Sequence, residues 1–76
     1  MMKSSTLKDQ IVEALDLFPN GLTCDETEIL LGLSHQTASA RFRDLKDEGR
    51  IIASHHRRPT RTGAPATVYY GKVLVV

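Results

Sequence analysis

Gly32-Leu33-Ser34-His35-Gln36-Thr37-Ala38-Ser39-Ala40-Arg41-Phe42-Arg43-Asp44-Leu45-Lys46-Asp47-Glu48-Gly49-Arg50-Ile51-Ile52-Ala53-Ser54 is the stretch on which the fold turns. Gly32 suits the left-handed end of a preceding helix, Leu33 plugs the core at the turn, and Ser34 is a good N-cap for a third helix. From His35 to Glu48 the pattern is helical. Ala38, Phe42 and Leu45 fall on one stripe and should face the core, while at about 100° per residue Gln36, Ala40, Arg43 and Asp47 point the opposite way. Thr37 and Ser39 flank that outer face, and Gly49 is a natural C-cap. Arg50 to His55 then reads as a strand. A basic loop from about residue 55 to 65 comes next, punctuated by Pro59, Gly63 and Pro65, and Ala66 to Tyr70 is an apolar return strand that Val73–Val76 can extend.

Working outward, Leu7, Ile11, Ala14, Leu15 and Phe18 recur at three- and four-residue steps, which predicts a first helix over about 6–18 with Ser5 or Thr6 as its cap. Pro19-Asn20-Gly21 stops it. Leu22 is a short extended bridge. Thr23-Cys24-Asp25-Glu26 has the form of a capping box, opening a second helix over about 24–31 with Asp25 and Glu26 in its first turn, favourable against the positive helix end.

The whole chain sets further bounds. Its 76 residues make one small domain over 1–76, with no internal repeat. A single cysteine, Cys24, excludes an internal disulfide, lacks the company of a zinc motif, and reads as a small partly buried residue. No apolar run approaches the ~20 residues of a membrane span, and Met1 to Leu7 is not followed by a signal-like apolar region, so a cytoplasmic protein with no membrane contact is the expectation. The net charge of +1 conceals an asymmetry: all nine acids lie in residues 1–49, whereas 50–76 carry Arg50, Arg57, Arg58, Arg61 and Lys72 and no acid. Such a division suggests one face meant for a polyanion; a solvated basic loop is the other reading.

Turn, short polar-faced helix and basic hairpin together form the layout of a winged helix-turn-helix, an α+β fold of three helices followed by a two- to three-stranded antiparallel wing sheet. Leu31 to Ile51 resembles the turn, recognition helix and first wing strand of bacterial winged helix-turn-helix regulators of the MarR-like and ArsR-like groups. These share the Gly-Leu-Ser turn, the Thr-apolar-Ser sequence in the helix, and the glycine before the wing. The small size also resembles phage or prophage winged-helix proteins. The second helix departs from the pattern, with Thr27 and Glu28 where relatives usually place larger apolar or alanine residues.

The resemblance implies double-stranded DNA as partner, with the third helix in the major groove, the wing on the backbone, and a role in transcription regulation. An architectural phage role, in excision or replication control, would use the same residues. By resemblance and by face, the DNA contacts are Ser34, His35, Gln36, Thr37, Ser39 and Arg43. Ser34, His35 and Thr37 suit phosphates, Gln36 adenine, and Arg43 guanine or a phosphate. Arg57, Arg58 and Arg61 at the wing tip suit phosphates or a narrow minor groove; the absence of a nearby acid favours binding, and a loop mobile when free is expected to order only on DNA. The alternative is a solvent face and a solvated loop. His35, His55 and His56 do not read as a metal site, because adjacent strand residues point to opposite faces. No nucleophile elbow, phosphate-binding glycine loop or paired-carboxylate setting points to an enzyme, and no cofactor is implied. A protein-interaction module is the rival reading, with a homodimer or another protein held through the first helix or the tail Val73–Val76.

Overall fold

A computed structural model describes residues 6–71 of the chain. Three helices, α1 (Leu7–Leu17), α2 (Cys24–Leu31) and α3 (His35–Asp47), precede an antiparallel pair of strands, β1 (Ile51–Pro59) and β2 (Pro65–Gly71). The fold is α+β. Met1–Ser5 and the apolar tail Val73–Val76 lie outside the described residues. Among the described residues no helix is long and apolar enough to cross a membrane.

Each helix starts on the cap its sequence supplies. Thr6 Oγ1 accepts from the Asp9 amide at 3.1 Å. Thr23 and Glu26 close a full capping box: the threonine hydroxyl accepts from the Glu26 amide at 3.1 Å, and Glu26 Oε1 accepts from the Thr23 amide at 2.9 Å. Ser34 Oγ accepts from the Thr37 amide at 3.2 Å. Gly32 adopts φ 68°, and the Leu33 amide returns to the Glu28 carbonyl at 2.9 Å, so the α2–α3 turn is closed by backbone bonds that need a left-handed residue.

The core collects the buried stripes of α1 and α3, Leu22 and the inner face of the sheet: Ile11, Ala14, Leu15, Leu22, Phe42, Leu45 and Ile51, with Leu7, Val12, Cys24, Leu31, Leu33 and Tyr69 packed around them. Phe42 meets Tyr69 edge to face at 4.8 Å between ring centroids, tying the middle of α3 to β2. Phe18, expected on the apolar stripe of α1, stands 41% exposed because α1 ends at Leu17 and the chain has already left the helical line.

Leu22 and Tyr69 exchange both backbone hydrogen bonds, at 2.9 and 2.8 Å, so the extended residue between α1 and α2 adds an isolated bridge to the outer side of β2. Gly21 makes the approach feasible. Its φ is 78°, and a Cβ there would sit 2.6 Å from Val68 Cγ1 and 2.7 Å from the Tyr69 carbonyl oxygen.

The hairpin is longer than its sequence suggests. The strand expected to stop at His55 runs to Pro59, and the loop expected over about 55–65 contracts to residues 60–64. Two features explain the extension. The prolines sit opposite each other at the last rung, Pro59 against Pro65, where a missing amide costs no ladder bond. A register shift between Ala53 and Arg57 absorbs the irregular middle, and there Ser54 Oγ donates to the Val68 carbonyl at 2.7 Å and accepts from the His56 amide at 3.1 Å. The tip closes through the Thr60 amide to the Ala64 carbonyl at 2.8 Å and the Gly63 amide to the Thr60 carbonyl at 2.9 Å.

Candidate functional site

The outer face of α3 is held from behind. Ala38, Phe42 and Leu45 are buried, so the helix cannot rotate about its axis without emptying the core. Gln36 and Arg43 are exposed, with no hydrogen-bond or ion-pair partner among the described residues, and Ala40 between them is half-buried. The face thus presents a fixed backbone, exposed polar side chains and a small residue between them.

The remaining α3 candidates are already engaged. Ser34 Oγ, besides capping, donates to Thr37 Oγ1 at 2.9 Å, which leaves the Thr37 hydroxyl hydrogen as the free donor of the pair. His35 Nδ1 lies 2.9 Å from Glu28 Oε2, and its Nε2 stands 3.5 Å from Ser39 Oγ. At the far end of α3 two acids are paired: Asp44 with Arg41 at 3.2 Å, and Glu48 with Lys8 and, at 3.9 Å, with Arg50.

The hairpin arginines divide sharply. Arg57 is exposed and without a partner among the described residues. Arg58 is half-buried and reaches back across the fold: its guanidinium donates to the Gly21 carbonyl at 2.6 Å, the Asn20 carbonyl at 3.3 Å and Glu26 Oε1 at 2.8 Å. Arg61 clasps the start of α2. Its backbone amide donates to Asp25 Oδ2 at 3.1 Å, Nε to Asp25 Oδ1 at 2.7 Å, and Nη2 to Glu28 Oε1 at 2.7 Å. The hydrogen bond to Asp25, ahead of the other contributions, raises the Arg61 pKa further above its ordinary value.

These contacts correct the expectation that no acid stands near the wing arginines. Asp25, Glu26 and Glu28 stand against them in space, more than thirty residues away along the chain. They also correct the expectation of a loop that orders only on DNA, because the tip is already tied to α2. Sequence reasoning misses these three acids as members of the site. Their only sequence signal is the same asymmetry that pointed to a polyanion: acids upstream, bases downstream.

The side of α2 facing the fold carries polar residues beside Cys24 and Leu31. Thr23, Thr27 and Glu28 are buried, and Thr27 Oγ1 donates to the Thr23 carbonyl at 3.0 Å. Two of its apolar residues look outward: Ile29 is 59% and Leu30 48% exposed. With Phe18, Leu22 and Gly21 they line an open groove of ≈ 460 Å³, rimmed by Asn20 and the Glu26–Arg58 pair. Cys24 faces inward beside Glu28; burial, with the nearby carboxylate, pushes its thiol up to about 11, so it carries no thiolate near neutral pH. Among the described residues no three His, Cys, Asp or Glu side chains converge as a metal site. Comparison with protein-family models, with curated proteins and with solved structures returned no match.

Proposed function

We propose that the chain is a small winged helix-turn-helix protein that binds double-stranded DNA, as a transcription regulator, with α3 in the major groove and the β1–β2 hairpin as the wing along the backbone. The supporting observation is the outer face of α3. Gln36 and Arg43 are exposed on a helix that is capped at its start and locked at its back, and neither side chain is paired among the described residues. Gln36 suits the bidentate pattern of adenine, Arg43 that of guanine or a phosphate, and the Thr37 hydroxyl and His35 lie where a phosphate strand would pass. Arg57 supplies the wing's unspent charge. An architectural role on DNA would draw on the same surface.

Fluorescence anisotropy with a random-sequence duplex from roughly 50 to 200 mM salt tests the reading: affinity should fall steeply with salt as counterions are released. Arg43→Ala and Gln36→Ala should then lower discrimination between sequences, whereas an equal loss on every sequence would reduce α3 to a backbone contact. Absence of binding at the lowest salt would sink the proposal.

One observation favours a second reading, a protein-interaction module. The groove between the end of α1 and the outer side of α2 exposes Phe18, Ile29 and Leu30, residues that a chain this short would ordinarily bury. Under this reading Ile29→Glu abolishes association with a protein partner and leaves duplex binding as it was.

A further inference from the structure

The hairpin tip is pinned to α2 by two carboxylates that are themselves largely shielded. The Asp25 side chain is 14% exposed and that of Glu28 6%, while Arg61 keeps 57%. Glu28 uses both oxygens: Oε1 accepts from Arg61 and Oε2 from His35 Nδ1, so one buried carboxylate joins the tip of the hairpin to the first residue of α3. Moving the Arg61 guanidinium to a phosphate would strand Asp25 and Glu28 as shielded charges without their counterion, an exchange that electrostatics strongly opposes. Arg58 is committed in the same way to Glu26, which is itself held in the capping box of α2. Neighbouring strand residues alternate faces, so Arg57 points away from α2, and its guanidinium has no partner among the described residues.

We infer that Arg61 is a positioning residue: it holds the hairpin on α2 and so sets where Arg57 stands relative to α3, leaving Arg57 as the hairpin's contact with a polyanion. The strap formed by Asp25, Arg61 and Glu28 stands independently of any partner, whereas the part played by Arg57 rests on the DNA reading.

Two measurements separate these. Without DNA, hydrogen exchange of the amides between Arg57 and Gly63 should speed up several-fold in Arg61→Gln, with the Ile11 and Phe42 amides unaffected; unchanged exchange at the tip would overturn the strap. With a random-sequence duplex, Arg57→Gln should lower the slope of log affinity against log salt by about one, while Arg61→Gln lowers it by no more than that and only together with faster exchange at the tip. The loss caused by Arg57→Gln, about threefold in the parent protein, should shrink in the Arg61→Gln background, because an unpinned hairpin no longer places Arg57. A slope lowered by about one in Arg61→Gln, with tip exchange unchanged, would make Arg61 itself the phosphate ligand and end the inference. Should Arg61→Gln fail to fold, Asp25→Asn carries the same test with the guanidinium retained: faster exchange at the tip supports the strap, and unchanged exchange overturns it. Failure of the parent protein to bind duplex would remove the Arg57 half together with the DNA reading, and the exchange comparison would still decide the strap.

Discussion

The outer face of α3 and the tip of the hairpin look alike in the sequence, both polar and basic, and differ in the folded protein. On α3, Gln36 and Arg43 are spoken for by nothing else in the described chain. At the tip, Arg58 and Arg61 are consumed by Asp25, Glu26, Glu28 and two carbonyls, and among the described residues only Arg57 of the three is without a partner. The difference teaches that a basic residue advertises a polyanion only after its own chain has declined it. Helical spacing keeps the outer residues of α3 away from the core, so the face that the helix presents is set by its own sequence. A hairpin tip folds back against whatever lies beneath, and here that is the acidic first turn of α2.

The largest expected effect attacks the contact that joins the two regions. Phe42→Ala removes the side chain that backs α3 and meets Tyr69 on β2, and should cost about 3–5 kcal/mol in urea unfolding. If the helix face and hairpin are as interdependent as that ring contact implies, α3 and β2 amides lose protection together; loss confined to one would break the link. Gly21→Ala is next. The new methyl meets Val68 and the Tyr69 carbonyl in a backbone conformation that alanine resists, for about 2–3 kcal/mol. Exchange should rise first at Leu22 and Tyr69, the bridge beside the hairpin, with the α3 face least affected.

Glu28→Gln sharpens the contrast directly. It removes the charge shared by Arg61 and His35 while keeping the shape, and should cost about 1–2 kcal/mol, because Arg61 is exposed enough for water to take over its solvation. Hairpin-tip amides should loosen while Gln36 to Arg43 stay protected; equal loosening of both would show that the strap carries α3 as well. The smallest effect lies at the base of the hairpin, where Asp9 on α1 accepts from Arg50 at 2.7 Å. That bond, with help from the Thr6 hydroxyl, lowers the Asp9 pKa. A carboxylate whose folded pKa is depressed stabilises the fold above its ordinary range, and the contribution is lost as pH falls from that range through the lowered value. Asp9→Asn should therefore be slightly less stable than the parent at neutral pH and lose less on acidification, so that the two stability curves converge in strong acid. A gap that stays the same width from neutral to strongly acidic pH would contradict the assignment.

Local signals carried most of the helical part. Thr23 and Glu26 three residues apart, Ser34 before an apolar-periodic run, and Gly32 at a helix end are each satisfied within a few residues of chain, so spacing alone predicts them. The hairpin was legible as two strands and a turn but not in extent. Pro59 reads as a strand breaker until Pro65 is placed opposite it at the final rung. The α2 register was the least legible. Ile29 and Leu30 stand exposed because the capping box and the Gly32 turn orient the helix so that Thr27 and Glu28 point inward, where a backbone carbonyl, Arg61 and His35 satisfy them.

Sequence by itself therefore determined the helices, their caps, the buried stripe of Ala38, Phe42 and Leu45 and the outward direction of Gln36 and Arg43, because these depend on chemistry within one or two turns of chain. Only the tertiary structure decided which arginines remain available. The pairing of Arg58 and Arg61 with α2 spans more than thirty residues, and it exists because packing of the sheet against the helices brings the basic tip over the acidic turn. Charge is local to a residue, but neutralisation belongs to whatever the fold places within about 3 Å of it.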